Sequence, residues 1–169
     1  MRLGRSARLA GALYLAAGAI YAADRVTKLW AERSLAGHPP IVLIPKVLQL
    51  SYTTNAGGAF GLFGGQPWLF FGATVAVCVA IVALSARLAS RITAVALGLI
   101  LGGALGNLTD RIIHGPAVSG RVTDFIDLHV WPVFNLADSG IVIGAFLIVV
   151  SGFSRDHRAA NSPGNRLED

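Results

Sequence analysis

Acidic, amide and basic side chains of this 169-residue sequence gather at the ends of its apolar segments. Asp138 lies about one helical turn into the last apolar segment. Asp124 lies a short distance earlier, ahead of the Trp131-Pro132 pair, where the chain can reverse direction. A carboxylate within an apolar membrane helix costs roughly 2.5 to 3.5 kcal/mol at the membrane centre and less near the interface. Asp138 therefore needs a partner or a chemical use.

The chemistry that Asp124 and Asp138 can perform together is hydrolysis of an amide bond. Two carboxylates that are held close together cannot both ionise easily, so they share one proton and act as base and acid together. An ion pair with Arg111 or Lys28 is an equally good interpretation of Asp138 taken alone. The carboxylate pair is nevertheless the best-supported chemistry in the sequence.

A metal centre or a serine nucleophile explains these residues less well. Asp124, Asp127 and His129 offer few nitrogen or sulfur ligands, and the sequence has no H-E-x-x-H motif. Cys78, the one cysteine, can form neither an intramolecular disulfide nor a cysteine-based metal site. The sequence also lacks a G-x-S-x-G elbow and a Walker loop. We therefore predict an enzyme without a metal or other cofactor.

The elements that must position the carboxylates are membrane helices. The chain is 54% hydrophobic and 14% charged, with a mean hydropathy of +0.62, which is not the composition of a soluble domain. Its apolar blocks have lengths close to those that cross a bilayer. The predicted spans are about 9–29, 68–86, 92–110 and 134–153. Residues 1–153 are thus predicted to form a single membrane-embedded domain, and the polar residues 154–169 a flexible cytoplasmic tail.

Basic residues orient the four predicted spans. Arg2, Arg5 and Arg8 precede the first span, as in a cleavable signal peptide, but helical character continues through residues 24–30 and cleavage would leave an odd number of spans. An even number places both termini on one side. That side holds eight basic residues in short flanks, against six in two long loops, which predicts cytoplasmic termini. The formal charge of +5 follows from this topology and does not indicate nucleic-acid binding.

Two long loops, about residues 31–66 and 109–133, are then expected to face outward. Residues 41–45 and the alternating residues 47–54 predict extended structure with one apolar face. The predicted fold class is an α-helical integral membrane protein, a four-transmembrane-helix bundle with a small extracytoplasmic β-sheet in the first outer loop. Because helices 1 and 3 run outward and helix 4 runs inward, their polar clusters meet at the outer end.

Five motifs in this order resemble those of the bacterial lipoprotein signal peptidases, also called signal peptidase II. They are D-R-V-T-K at 24–28, N-A-G-G-A-F at 55–60, G-G-A-L-G-N-L-T-D-R at 102–111, V-T-D-F-I at 122–126 and F-N-L-A-D-S at 134–139. The resemblance implies an inner-membrane aspartic endopeptidase with a small outer sheet and a surface helix over its site. It implies cleavage of diacylglyceryl-modified prolipoproteins on the amino side of the lipidated cysteine.

The resemblance places the family's catalytic pair on Asp124 and Asp138, in agreement with the interpretation from the residues. It also implies residues that shape the site and bind substrate or globomycin-type inhibitors: Asp24, Lys28, Asn55, Gly57, Asn107, Arg111 and Asn135. The expected partners are prolipoproteins and membrane lipids, without nucleic acid, and the expected state is a monomer. The active site is expected near the extracytoplasmic face.

Some positions depart from the family pattern. Ala56, Gly58 and Gly61 stand where threonine, alanine and serine are frequent, and the stretch 111–124 is several residues longer than usual. These differences affect the shape of the loops and bear on substrate preference, but they leave the two aspartates in place.

Two other functions fit parts of the sequence. A small transporter or channel subunit could use the aspartates as a proton or ion relay, but this function predicts polar residues distributed through the membrane depth. A lipid head-group transferase with an aspartate-bound metal needs a longer aspartate array, followed by glycine and arginine, than residues 124–127 provide.

Overall fold

The computed structural model describes residues 2–56, 67–116 and 120–160 of the chain. The helices in these ranges are α1 (Arg2–Ser34), α2 (Pro67–Leu84), α3 (Arg91–Ile113) and α4 (Leu136–Ala160), with a short 3-10 turn at Ser85–Arg87. The strands are β1 (Ile41–Ile44), β2 (Leu48–Asn55) and β3 (Val122–Asp127). The predicted mainly helical fold with a small sheet is confirmed.

Three helices of the described chain are long and apolar enough to cross a membrane. They are Gly4–Ser34, Trp68–Arg87 and Arg91–Ile113. The apolar part of α4, Leu136–Gly152, is shorter than these three. At about 1.5 Å per residue it extends over roughly 25 Å, somewhat less than a typical hydrocarbon core. Length and composition therefore support three of the four predicted spans directly.

Helix α3 packs closely against both α1 and α4, because glycines replace larger side chains at the contacts. A Cβ atom at Gly98 would lie 2.8 Å from the Cβ of Ala16 in α1, and one at Gly103 would lie 2.9 Å from Cγ1 of Ile141 in α4. Helices in lipid associate through this kind of close packing. The glycines thus bring the polar ends of α1, α3 and α4 together.

The strands form one antiparallel sheet in the order β1-β2-β3. Strands β1 and β2 lie in the first long connection, as predicted. The sheet is not confined to the first outer loop, where the sequence placed it, because β3 comes from the second long connection and places Asp124 opposite Thr53. Residues 122–125 are all buried, so β3 lacks the alternation of apolar and polar residues that reveals a half-buried strand.

Two further expectations concern the tail and the loops. Helix α4 continues to Ala160, so residues 154–160 of the predicted tail are helical, whereas 161–169 lie outside the described residues; the flexible cytoplasmic tail stays a prediction. The described parts of the long connections, 35–56 and 120–135, contain no surface helix. Residues 57–66 and 117–119 of these connections are not among those described.

Replacement of Gly103 by alanine tests the packing of α3 on α4. The added methyl group would meet the carbonyl oxygen of Ala137 and the side chain of Ile141, so we expect a destabilisation of about 1–3 kcal/mol. Thermal unfolding in detergent measures it. Gly72→Ala on α2 is the matched control, because nothing lies within 4 Å of its added Cβ. Equal melting temperatures for the two variants would contradict the packing described here.

Candidate active site

Asp124 on β3 and Asp138 on α4 are joined by two amide side chains. Asn135 Nδ2 donates to Asp124 Oδ1 over 2.6 Å, and Asn107 Nδ2 donates to Asp138 Oδ1 over 2.8 Å. The two amides also contact each other, with Asn135 Nδ2 3.2 Å from Asn107 Oδ1. The structure therefore brings the two predicted catalytic aspartates into one hydrogen-bonded group.

A reciprocal cap at the start of α4 fixes Asp138. Its N–H donates to Asn135 Oδ1 over 2.9 Å, and the N–H of Asn135 donates to Asp138 Oδ2 over 3.3 Å. This pattern is a capping box, in which each residue satisfies the other's backbone donor. A carboxylate in the first turn of a helix is also stabilised by the helix dipole. Within the sequence F-N-L-A-D-S, Asn135 thus fixes the position of the Asp138 side chain.

Helix α1 supplies a second cap for α4. Asp24 Oδ1 accepts a hydrogen bond of 2.9 Å from the N–H of Ala137, and its Oδ2 lies 2.9 Å from the ammonium of Lys28. Asp24 and Lys28 are separated by four residues, which places both on one face of α1. Through this contact, α1 fixes the position of the residue next to Asp138.

Lys28 is the centre of a buried ionic network. Its Nζ lies 2.9 Å from Asp110 Oδ2 and donates to Asn107 Oδ1 over 2.8 Å. Asp110 also pairs with Arg25. Asp24, Lys28 and Asp110 are fully buried, so each charge depends on the others for compensation. Because the oxygen of Asn107 accepts from Lys28, its NH2 group must face Asp138.

The outer edge of β3 is closed by groups from the helices and the adjoining chain. The N–H of Thr123 donates to Asp110 Oδ2 over 3.2 Å, and the carbonyl of Thr123 accepts from Asn135 Nδ2 over 3.3 Å. Further along, Ile126 exchanges two backbone hydrogen bonds with Phe134, of 2.8 and 3.0 Å. Strand β3, and Asp124 with it, is therefore fixed on the side away from β2.

Burial raises the pKa of Asp124 to about 7, and the negative charge of Asp138 adds to this effect. The hydrogen bond from Asn135, the charge of Lys28 and a hydrogen bond with Asn55 act in the opposite direction. Asp124 is only 3% exposed, so loss of solvation is the dominant cause. A carboxyl group with this pKa can hold or release a proton near neutral pH.

The other predicted site residues lie around the pair. Asn55 ends β2 and its side chain reaches Asp124. Arg111 acts electrostatically on both aspartates, and its buried Nε and Nη1 have no hydrogen-bond partner among the described residues. Gly57 lies outside the described residues.

Comparison with known proteins identifies the family. A family model described as signal peptidase (SPase) II matches residues 16–154. The chain belongs to the signal peptidase II family. The lipoprotein signal peptidase of Rhodococcus jostii is 43% identical over 82% of this chain and 70% of its own length. That of Syntrophomonas wolfei is 47% identical over 75% of this chain and 83% of its own.

Solved structures agree with this assignment. A bacterial membrane enzyme determined by the in meso method superimposes with a TM-score of 0.74 and 29% identity, covering 94% of this chain and 93% of its own. A second bacterial membrane enzyme determined by the same method superimposes with a TM-score of 0.72 and 32% identity. The match covers 83% of this chain and 92% of that enzyme. The fold of this signal peptidase II family member is therefore that of a membrane enzyme, and the family indicates a peptidase.

An apolar groove opens beside Asp138 in this signal peptidase II family member. Its volume is about 380 Å³. Its lining is Leu128, Trp131, Phe134, Asp138, Ser139, Val142 and Ile143. Only Asp138 and Ser139 contribute polar side chains, so an apolar group can lie directly next to one of the paired carboxylates.

The alternative metal ligands have other partners. Asp127 accepts hydrogen bonds from the N–H of His129 over 2.8 Å and from Gln49 Nε2 over 2.7 Å. These bonds, the one from His129 first, lower the pKa of Asp127. Within residues 2–56, 67–116 and 120–160, no three histidine, cysteine or acidic side chains lie close enough to hold a metal ion. Activity without a cofactor stays a prediction.

Sequence reasoning missed the parts played by Asp110, Arg25 and Thr123. Asp110 lies within a quoted motif, three residues after Asn107, so its place on the same face of α3 could have been read from the spacing. Thr123 contributes a backbone N–H and carbonyl, which every residue has. The role of the Thr123 backbone therefore could not have been predicted from the residue type at this position.

We predict that Asp138→Asn lowers the pKa of Asp124 below about 7 but leaves it above the ordinary aspartate value. The substitution removes the negative charge but not the burial, which is the larger cause. NMR titration of 13Cγ-labelled aspartate, assigned by comparison with Asp124→Asn, measures the change. An unchanged or higher pKa would show that the two carboxylates are not coupled.

The same raised pKa makes stability depend on pH. The folded state binds the proton of Asp124 more tightly than the unfolded chain, in which aspartate titrates near about 3.9. This contribution is full below that value and is lost as the pH rises through about 7. Asp124→Asn should therefore lose less stability than the parent protein over this interval.

Proposed function

We propose that this chain is a membrane aspartic endopeptidase that removes the signal peptide from diacylglyceryl-modified prolipoproteins, cutting on the amino side of the lipidated cysteine. The observation that carries the proposal is the pair Asp124 and Asp138, joined through Asn107 and Asn135 at one end of the bundle. The names of the relatives support the substrate class.

The transporter or channel alternative is not favoured. A relay requires ionisable groups through the membrane depth. Within the described residues, the buried polar and charged side chains all belong to the end of the bundle next to the sheet. They are Asp24, Lys28, Asp110, Thr123, Asp124 and Asn135. This concentration suits chemistry near one membrane surface.

The proposed reaction is attack of a water molecule on the scissile carbonyl. Asp138, ionised, takes a proton from the water, while Asp124, protonated, donates a hydrogen bond to the carbonyl oxygen. The tetrahedral intermediate collapses as the amine of the lipidated cysteine accepts a proton from the pair and leaves. The raised pKa of Asp124 favours this distribution, although the shared proton belongs to the coupled pair.

The surrounding residues have two kinds of role in this proposal. Asp24 and Lys28, expected from the resemblance to bind substrate, are fully buried and are better suited to position the pair. Asn55 and Arg111 are partly exposed beside the carboxylates. Arg111 acts electrostatically on both carboxylates, and its guanidinium is proposed to bind a carbonyl of the substrate or of a globomycin-type inhibitor. Gly57 keeps its expected binding role as a prediction.

The apolar groove beside Asp138 is proposed to receive acyl chains of the substrate. The diacylglyceryl group is attached to the side chain of the residue that follows the scissile bond. When the scissile bond lies at the two carboxylates, the acyl chains therefore begin close to them. The groove extends from Trp131, in the connection before α4, along α4 to Ile143, in the direction expected for chains parallel to the helices. Lipidation would then contribute to specificity by positioning the scissile bond.

The membrane arrangement follows from these assignments. Helix α4 continues beyond its apolar part to Ala160, which provides the length for a fourth span. The basic flanks support a proposed arrangement with both termini in the cytoplasm and with the sheet and its adjoining carboxylates near the extracytoplasmic face of the inner membrane. The monomer carries both carboxylates and their supporting network on one chain.

Asp124→Asn and Asp138→Asn are each expected to lower cleavage of a diacylated precursor by at least about a thousandfold, because each removes a proton donor or acceptor. A gel-shift assay with purified enzyme measures cleavage. The matched control is Asp127→Asn, which changes a carboxylate three residues from Asp124 that lies outside the pair. Substantial cleavage by either dyad variant would remove the aspartates from the mechanism.

Val142→Asn is expected to raise KM for a diacylated precursor several-fold and to change kcat little, because it makes the groove polar without touching the carboxylates. Kinetics with diacylated and unlipidated forms of one precursor test this. Val149→Asn, an exposed position on the same helix outside the groove, is the control. Equal effects of the two substitutions would place the acyl chains elsewhere.

A further inference from the structure

Thr123, the residue before Asp124, is held by side chains from three parts of the helical bundle. Its N–H donates to Asp110 of α3 and its carbonyl accepts from Asn135 at the start of α4. Its hydroxyl donates to Oε1 of Glu32 in α1 over 2.8 Å. Every polar group of Thr123 is therefore bound by a different side chain, and the residue is only 1% exposed.

The hydrogen bond from the Thr123 hydroxyl to Glu32 is the only one of these three that depends on the side chain of Thr123. The two hydrogen bonds to the backbone of Thr123 fix the position of β3. They restrict rotation of the strand about its own axis less than they restrict its position. A third point of attachment, off that axis, limits this rotation. Because successive side chains of a strand point to opposite faces, rotation at Thr123 turns the carboxylate of Asp124 by the same angle.

Glu32 is itself held near the end of α1. Its Oε1 lies 3.5 Å from His114 Nε2, and His114 Nδ1 lies 4.0 Å from Asp110 Oδ1. His114 caps the C-terminus of α3. Glu32 and Asp110, which accept from the hydroxyl and the N–H of Thr123, thus both contact the imidazole of His114. This imidazole connects α1 to α3.

We propose that Glu32 is a positioning residue of the catalytic pair, acting through the hydroxyl of Thr123 to orient Asp124. Among the contacts between described residues, Glu32 reaches Thr123 and His114 but neither carboxylate of the pair. This inference rests on the proposed function for its kinetic part. Orientation of Asp124 can also be followed without turnover, through the titration of its carboxyl group.

The test compares Thr123→Val, which keeps the shape but loses the hydroxyl, with Thr123→Ser, which keeps the hydroxyl. We expect Thr123→Val and Glu32→Ala each to lower kcat roughly 10- to 100-fold with KM changed little, as for a misplaced reacting group. Thr123→Ser keeps the hydroxyl donor and Glu32→Gln keeps an oxygen acceptor. The kcat of each of these variants should stay within a few-fold of that of the parent protein. Thr74→Val on α2, which also loses a part-buried hydroxyl hydrogen bond, is the matched control.

A double-mutant cycle decides whether the two residues act as one unit. Glu32→Ala combined with Thr123→Val should be no less active than the worse single variant, because the second change has nothing left to remove. Independent losses that multiply would overturn the proposal. So would a rise in KM alone, which would indicate contact with substrate, or a loss in Glu32→Gln equal to that in Glu32→Ala.

The NMR titration of Asp124 separates this inference from the proposed function. We expect Glu32→Ala and Thr123→Val to shift the 13Cγ titration of Asp124 in the same direction, and Thr123→Ser to restore it. An unshifted titration overturns the inference even if the enzyme is an aspartic peptidase. Conversely, activity retained by Asp124→Asn would end the proposed function while leaving the shift, and the inference about orientation, intact.

Discussion

The polar end of this bundle depends on one buried ammonium group, that of Lys28. It pairs with Asp24, which caps α4, and with Asp110, which binds the backbone of β3, and it donates to Asn107, which faces Asp138. Without this cation, Asp24 would have no cationic partner among the described residues, and Asp110 would keep only Arg25 and the imidazole of His114. Breaking such a network by removing one partner is strongly destabilising. The same contacts set the positions of both aspartates of the proposed catalytic pair, so one network stabilises the fold and positions the pair.

The network can form because the helices approach closely. Glycines of α3, among them Gly98 and Gly103, let its backbone reach α1 and α4, and so the short side chains of aspartate and asparagine can span the gaps between helices. The sheet then adds what the helices lack, a carboxylate that faces Asp138 from outside the bundle. Asp124 reaches this place only because β3 pairs with β2 on one edge and is closed by helix side chains on the other.

The position of the site supports the proposal that this family member combines hydrolysis with lipid recognition. Burial gives Asp124 a pKa near neutrality, which suits a shared proton, and the partly exposed Asp138 faces an apolar groove. In the proposed function, the acyl chains of the substrate lie in this groove along α4. The two requirements meet at one residue, because Asp138 belongs both to the polar network and to the lining of the groove.

The sequence by itself determined the membrane class, the approximate helices, the two strands of the first connection and the two catalytic candidates. These features follow from apolar block lengths, alternation and the cost of acidic residues in lipid, all of which are local. Only the tertiary structure decided that residues 122–127 form a strand, that Lys28 is buried and not exposed to substrate, and that Glu32 holds Thr123. The physical reason is that these features depend on backbone groups and on contacts between residues far apart in the chain, which residue types and spacing do not encode.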